Sequence, residues 1–338
     1  MEEMTKVVLD AMGGDNAPGE IVLGAVNAVK DRPELSVVLT GQEDAIKKEL
    51  SKYTYPEEQI QIVHTEEVIE TAEPPVLAIR RKRDSSMVVG LRMVKEGEAD
   101  AFVSAGSTGA LLAGGQLLVG RLKGVERPPL APLIPTKNGV ALLVDCGANV
   151  DARPSHLVQF AKMGSIYVKN VLGIENPRVG IVNIGAEEEK GNQLVKETFP
   201  LLKACEDINF IGSVEARDIP DGVADVVVCE AFVGNVILKL YEGVGATLLS
   251  VVKQGLLSST RSKLGALLVK PALKKTLKKF DASQYGGAPL LGCKGLVVKT
   301  HGSATAKEVY NTLLQCKTFK EQNVNQKIME CFSVPEQE

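Results

Sequence analysis

Short aliphatic runs recur along this chain at intervals that leave room for one helix between successive members. Val7–Leu9, Val37–Leu39, Ile60–Val63, Ala101–Val103, Val140–Val144, Val179–Ile184, Ile208–Ile211 and Val226–Val228 read as strands. Amphipathic stretches of helical length lie between most of them, for example Glu20–Lys30, Met87–Lys95, Ala110–Arg121, His156–Val171 and Gln193–Cys205. Strands that are apolar throughout, rather than alternating, are buried on both faces. The pattern predicts an α/β fold whose largely parallel sheet is covered by helices on both sides. With 338 residues, 44% of them hydrophobic, the chain can bury a sizeable core in one large unit or two lobes.

The charge balance narrows the function classes. Lys plus Arg total 39 against 42 for Asp plus Glu, a formal net charge of −3, which argues against a protein built around a nucleic-acid backbone. The six cysteines form no C-x-x-C pair and have no neighbouring His cluster, so neither a disulfide framework nor a metal site is expected. That cysteine usage fits a reducing cytoplasm, and residues Met1–Asp10 enter a strand-like run that does not read as a secretory signal. The longest apolar runs are strand-sized, below the roughly 18 to 20 residues that cross a bilayer, so any membrane contact is expected to be peripheral.

In parallel α/β folds, sites lie beyond the carboxyl ends of the strands. Five such ends here carry Gly beside Asn, Ser, Asp or Lys. They are Asp10–Pro18 (DAMGGDNAP), Ser104–Gly109 (SAGSTG), Asp145–Asn149 (DCGAN), Asn183–Gly191 (NIGAEEEKG) and Cys229–Asn235 (CEAFVGN). Any one of them could be a tight turn, but five together predict a shared polar cleft. Gly-rich turns let backbone N–H groups approach an anion, and Ser104–Gly109 leads into a helix in the manner of an anion site. There is no Walker motif and no G-x-G-x-x-G after a strand, so the anion is expected to be smaller than a nucleotide.

No G-x-S-x-G elbow is present, and direct attack by a bound nucleophile is simpler than a covalent route. A bound anion that attacks an acyl carbonyl needs cations or N–H donors on the anion and a donor aimed at the oxyanion. Lys190 and Asn235 are suitable in type. Each also has a structural reading: Lys190 follows three glutamates and could be a surface ion-pair partner, and Asn235 could cap a helix starting near Val236. His301 reads as a turn residue with a satisfied ring, His64 and His156 as structural, and Arg80–Arg83 as a solvated helix face.

The segment Gly243–Phe280 stands apart. It holds no acidic residue but carries Lys253, Arg261, Lys263, Lys270, Lys274, Lys275, Lys278 and Lys279 among leucines that include Leu264, Leu267 and Leu268. It reads as a basic amphipathic helical hairpin with its turn at Ser258–Thr260 and Pro271 opening the second helix. The segment could pack in a dimer interface or dock an acidic protein or anionic bilayer.

Taken together, the motifs resemble the bacterial phosphate acyltransferases of phospholipid synthesis. Asp10–Pro18, Ser104–Leu111, Val144–Asn149, Val182–Gly191, Val214–Asp218, Phe232–Lys239 and Tyr285–Gly292 match in family order and cover nearly the whole chain. The resemblance implies a single three-layer α/β/α domain over 1–338, related to phosphotransacetylases and isopropylmalate dehydrogenases, with the hairpin at 243–280. It implies transfer of a long-chain acyl group from acyl carrier protein to inorganic phosphate, with no cofactor or metal. A cytoplasmic homodimer at the membrane surface is implied, with a downstream glycerol-3-phosphate acyltransferase as a further partner. Lys190 and Asn235 fall on family active-site positions. The substrate-binding candidates are Asp10, Gly13, Gly14, Asp15, Gly106, Ser107, Thr108, Gly109, Asn149 and His301. Carrier or membrane contacts are expected at Arg261, Lys263, Leu267, Leu268, Lys274 and Lys275.

Two positions depart from the pattern. The family usually has Asn at Ser107 and Asp-Gly at Glu230-Ala231, so an unusual backbone angle at Ala231 would put activity in doubt. Two rival readings remain open. One is a phosphate acetyl- or butyryltransferase acting on acyl-CoA; the other is a catalytically idle membrane-surface scaffold that binds carrier protein.

Overall fold

The computed structural model describes residues 4–278 and 280–333. The elements run β1 (Thr5–Asp10), α1 (Gly19–Asp31), β2 (Leu35–Gly41), α2 (Glu43–Leu50), β3 (Ile60–His64), α3 (Pro75–Arg81), α4 (Ser86–Lys95), β4 (Ala101–Ser104), α5 (Thr108–Gly114), β5 (Leu133–Thr136) and β6 (Gly139–Val144). They continue as α6 (Pro154–Leu172), β7 (Arg178–Asn183), α7 (Gln193–Lys203), β8 (Asn209–Glu215), β9 (Val226–Val228), α8 (Ala231–Leu256), α9 (Thr260–Lys278), β10 (Ala288–Pro289), β11 (Leu296–Lys299), α10 (Ala306–Glu321) and α11 (Val324–Phe332). The architecture is the expected three-layer α/β/α type with largely parallel sheets.

The residue pattern allows one unit or two lobes, and the chain divides into two compact units. The first is built from residues up to Pro132, Lys162–Pro177 and residues from Ser283 onward; the second is Leu133–Ala161 with Arg178–Ala282. Continuous apolar runs cannot reveal this division, because both sheets are buried on both faces and use the same residue types.

The first unit's sheet has the order β10-β11-β4-β1-β2-β3, parallel except for the β10–β11 pair. Val7, Val8, Val37, Leu39, Phe102 and Val297 are shut off from solvent. The second unit's sheet has the order β5-β6-β9-β7-β8, antiparallel only at β5–β6. Its core gathers Ile134, Leu143, Val214, Ile219 and Val227 around Cys146 and Cys229. All eight expected strands are present, and β5, β10 and β11 were not anticipated. β10 and β5 are short and contain Pro289 and Pro135, which suit edges because proline cannot donate to a ladder.

The hairpin differs from its expected form. Its first limb is the end of the 26-residue helix α8, and the chain turns at Leu257–Ser259. Ser259 opens α9 by accepting from Ser262 N at 3.1 Å, so Pro271 lies inside the second helix instead of starting it. Both limbs stand in solvent: Leu264, Leu267, Leu268 and Leu248 are exposed, as are Arg261, Lys263, Lys274 and Lys275. Lys279 lies outside the described residues. A second correction concerns membrane-sized segments. By length and composition α8 is apolar enough to cross a bilayer, with a mean hydropathy of 1.3 over its most apolar window. Lys239, Glu242 and Lys253 are spaced widely enough along the helix to leave that window apolar.

Candidate active site

The five strand-end loops gather as two clusters, one in each unit. In the first unit, parallel register places the ends of β1, β4 and β11 side by side, with Leu9 opposite Val103 and Ser104 opposite Lys299. Asp10 is buried there. Its carboxylate accepts from Ser104 Oγ at 2.7 Å and from Met12 N at 3.2 Å. Burial raises the Asp10 pKa, and hydrogen bonds led by that from Ser104 pull in the opposite direction. The Ser104 hydroxyl, which ties the two loops together through Asp10, also accepts from Gly106 N at 3.0 Å. Gly13 has to be glycine, because a Cβ there would sit 2.6 Å from the Asp10 carboxylate and 2.7 Å from Gly106 N.

Gly14 and Gly106 lie in the same cluster, while Asp15 is exposed and its N–H donates to Gly302 O at 2.7 Å. Ser107 is the N-cap of α5, accepting from Ala110 N at 3.4 Å, so Ser supplies the cap that Asn would supply. Thr108 and Gly109 form the first turn of this seven-residue helix. The expected longer helix to Arg121 is replaced from Gly115 by a π-helical turn that ends at Val119. His301 is exposed, with Nδ1 2.8 Å from Ser303 Oγ, the satisfied turn residue its sequence context suggests.

Lys299 was not anticipated. It is half-buried at the end of β11 and donates to Ala105 O at 3.1 Å and to Thr300 O. Burial pulls its pKa down to about 8, against the opposing pull of Glu308, Asp10 and Asp15. The signal was available: Leu296–Lys299 is another aliphatic run followed by Thr-His-Gly, the same strand-then-glycine pattern as the other ends.

In the second unit, the ends of β6, β9 and β7 lie next to one another, with Val144 opposite Val228 and Ile181 opposite Val228. Asp145 is fully buried and organises its own loop, accepting from Gly147 N, Ala148 N, Asn149 N and Asn149 Nδ2 at 2.8 to 3.3 Å. Asn149 is thereby buried and held, and its carbonyl accepts from Ala231 N at 3.1 Å.

Asn235 is not a cap. α8 starts four residues earlier, and Glu230 caps it by accepting from Phe232 N at 2.6 Å and Val233 N at 2.9 Å. Asn235 sits one turn inside the helix, half-buried, and its amide has no hydrogen-bond partner among the described residues. Ala231 is an ordinary helical residue, so the family's glycine is not required for its backbone angle. The glycine that is required is Gly234: a Cβ there would come within 1.9 Å of Asp145 O. That contact seats the helix bearing Asn235 directly on the Asp145 loop.

Lys190 is carried by the loop after β7. Asn183 folds this loop back, with Nδ2 donating to Lys190 O at 3.2 Å and Oδ1 accepting from Ile184 N at 2.8 Å. The Lys190 ammonium lies 2.7 Å from Glu187, with both side chains about half exposed. Hydrogen bonding to that carboxylate raises the Lys190 pKa, so it carries a full charge at neutral pH. The unit thus presents a cation on a folded loop and a free amide donor on a braced helix.

Comparison with known proteins gives the family of the chain. The family model described as "Fatty acid synthesis protein" matches residues 5–327. A phosphate acyltransferase of Alkaliphilus oremlandii is 53% identical over 96% of each chain, and one of Clostridium acetobutylicum is 51% identical over 95% of this chain and 97% of its own. A phosphotransacetylase of Streptococcus pyogenes shares the fold, with a TM-score of 0.60 at 18% identity over 94% of each chain. The fold and family place the chain among the acyltransferases. It belongs to the fatty acid synthesis protein family, the phosphate acyltransferases.

Proposed function

We propose that this enzyme transfers a long-chain acyl group from acyl carrier protein to inorganic phosphate, giving acyl phosphate and free carrier protein for glycerophospholipid synthesis. The observation that supports the reading is that one unit of a chain of the phosphate acyltransferase family carries both the Lys190 ammonium, on the loop after β7, and the Asn235 amide, one turn into α8. An oxygen of hydrogen phosphate attacks the thioester carbonyl, the carbon–sulfur bond breaks, and the carrier's sulfur leaves and takes up the proton that the phosphate gives up. Lys190 supplies positive charge to the phosphate, and Asn235 donates to the oxyanion that forms on the carbonyl oxygen. Asp10, Gly13, Gly14, Asp15, Gly106, Ser107, Thr108, Gly109 and His301 in the first unit, and Asn149 in the second, are proposed as substrate contacts. The reaction as written consumes no cofactor and needs no metal.

The hairpin supports a protein-borne substrate. Carrier proteins and bilayer surfaces are acidic, and α9 offers exposed Arg261, Lys263, Lys274 and Lys275 beside exposed Leu267 and Leu268. We place the enzyme in the cytoplasm as a homodimer at the membrane surface, where its product would pass to a glycerol-3-phosphate acyltransferase. The idle-scaffold reading loses its motive, since Ser107 and Glu230 act as caps and Ala231 is regular helix.

The test is phosphate-dependent release of thiol from palmitoyl carrier protein and, in parallel, from acetyl- and palmitoyl-CoA, with hydroxylamine trapping acyl phosphate. Turnover with the carrier substrate is expected. Preference for acetyl-CoA would replace this reading with a phosphotransacetylase, and no release from any donor would leave the scaffold.

A further inference from the structure

The second unit contains a cavity of about 300 Å³ between β7, α7 and the first two turns of α8. Its walls include Leu157, Ile181, Val195, Val233, Val236 and Ile237. Asn183, Asn192 and Glu230 also line it, and most of their polar atoms already serve the backbone. Asn183 holds the Lys190 loop, Asn192 caps α7 by accepting from Val195 N at 2.9 Å, and Glu230 caps α8. A polar ligand entering here would give up its water for few hydrogen bonds in return. A hydrocarbon gives up none.

The cavity adjoins a broader, open basin of about 610 Å³ that includes Asp151 and Arg153. Asn192, Leu194, Glu230 and Phe232 line both. At their junction Phe232 is 64% exposed, and Ile184 at the cavity's edge is 80% exposed, an unusual burden of bare apolar surface beside charged groups. The same α8 residues that bracket Asn235 in sequence, Val233, Val236 and Ile237, form one wall, and the loop bearing Lys190 begins at another.

We infer that this cavity receives the alkyl tail of the transferred acyl group and so sets chain-length preference, while the adjoining polar basin takes the head end. The inference rests on the acyltransferase reading of the unit and adds to it the place and chemistry of the tail. At about 300 Å³ the cavity lies at the small end of ligand sites, so it holds part of a long chain and the remainder crosses the basin. Each methylene buried there adds about fourfold to affinity, which makes the cavity's length readable in a donor series.

Two variants resize the cavity without unfolding its core. Val236 is 50% exposed, so Val236→Trp can be accommodated while its ring fills the cavity, and Ile237→Ala lengthens it. Leu201→Trp, on an exposed α7 position outside the lining, is the control. The readout is the ratio of kcat/KM for palmitoyl to octanoyl carrier protein, with displacement of cis-parinaric acid as a binding measurement independent of turnover. Val236→Trp is expected to lower the ratio by about tenfold or more and to abolish parinarate binding, Ile237→Ala to raise the ratio, and Leu201→Trp to match wild type. A ratio and parinarate affinity unchanged in both resized variants would overturn the inference. If wild type turns over no donor, the acyltransferase reading fails. Parinarate binding that Val236→Trp removes would even then support a hydrocarbon site, and its absence from wild type would overturn that as well.

Discussion

Ser104 Oγ donates to Asp10 Oδ2 at 2.7 Å, joining the ends of two adjacent parallel strands through a buried carboxylate. Ser104→Ala removes this bond and leaves Asp10 less satisfied. A loss of about 1 to 3 kcal/mol in urea unfolding at neutral pH is expected. Because burial already raises the Asp10 pKa, the folded state binds this proton more readily than the unfolded state. Its contribution to stability is therefore greatest at acid pH and is lost as pH rises through the folded value, which Ser104→Ala moves higher.

Lys299 gives the opposite signature. Its folded pKa of about 8 lies below its ordinary 10.5, so between these values the unfolded chain binds more protons and stability rises with pH. Lys299→Met should flatten that part of the profile. The check is the difference in unfolding free energy between wild type and variant, measured across this window; parallel profiles would show that the lysine titrates normally.

At Lys190 the expected effects separate activity from stability. The ion pair with Glu187 is exposed, so Lys190→Ala should leave the melting temperature close to wild type. Turnover should fall by about two to three orders of magnitude if the ammonium serves the transition state. Glu187→Gln, which frees the lysine, should retain activity.

Glu230 and Ala231 can be tested together. Glu230→Ala removes the cap of α8 and should cost about 0.5 to 2 kcal/mol, whereas Glu230→Asp should restore most of it. Ala231→Gly, which restores the family's usual residue, should gain no activity, since Ala231 already has a helical backbone. A marked gain would show that the loop needs freedom the helix does not display.

Much of this was legible in the sequence, for physical reasons that also explain the rest. The β-branched runs located all eight anticipated strands because buried parallel strands are apolar on both faces. The loops holding Asp10, Asn149 and Lys190 were found because strand ends must turn, and their Gly, Asn and Asp residues mark the turns. Lys299 was missed because its strand lies far along the chain from its neighbour β4, and only that tertiary pairing sets it opposite Ser104. The cap of α8 was misplaced because Asn235 is a better cap by type than Glu230, and only the close seating of Gly234 on Asp145 decides between them. The division into two units leaves no composition boundary, since the chain leaves and re-enters each unit without a linker-like stretch.

That interleaving bears on how the protein is made. β4 lies between β1 and β11, yet Leu296–Lys299 leaves the ribosome only after the whole second unit. At ordinary translation speed, one side of β4 stays open for on the order of ten seconds or more while the nascent chain grows. During that interval its unpaired amides and carbonyls can recruit a strand from a neighbouring polysome product, a route to aggregates when expression is forced. Weaker induction, which lowers the number of nascent chains open at once, should therefore raise the soluble fraction by more than the finished protein's stability alone would suggest.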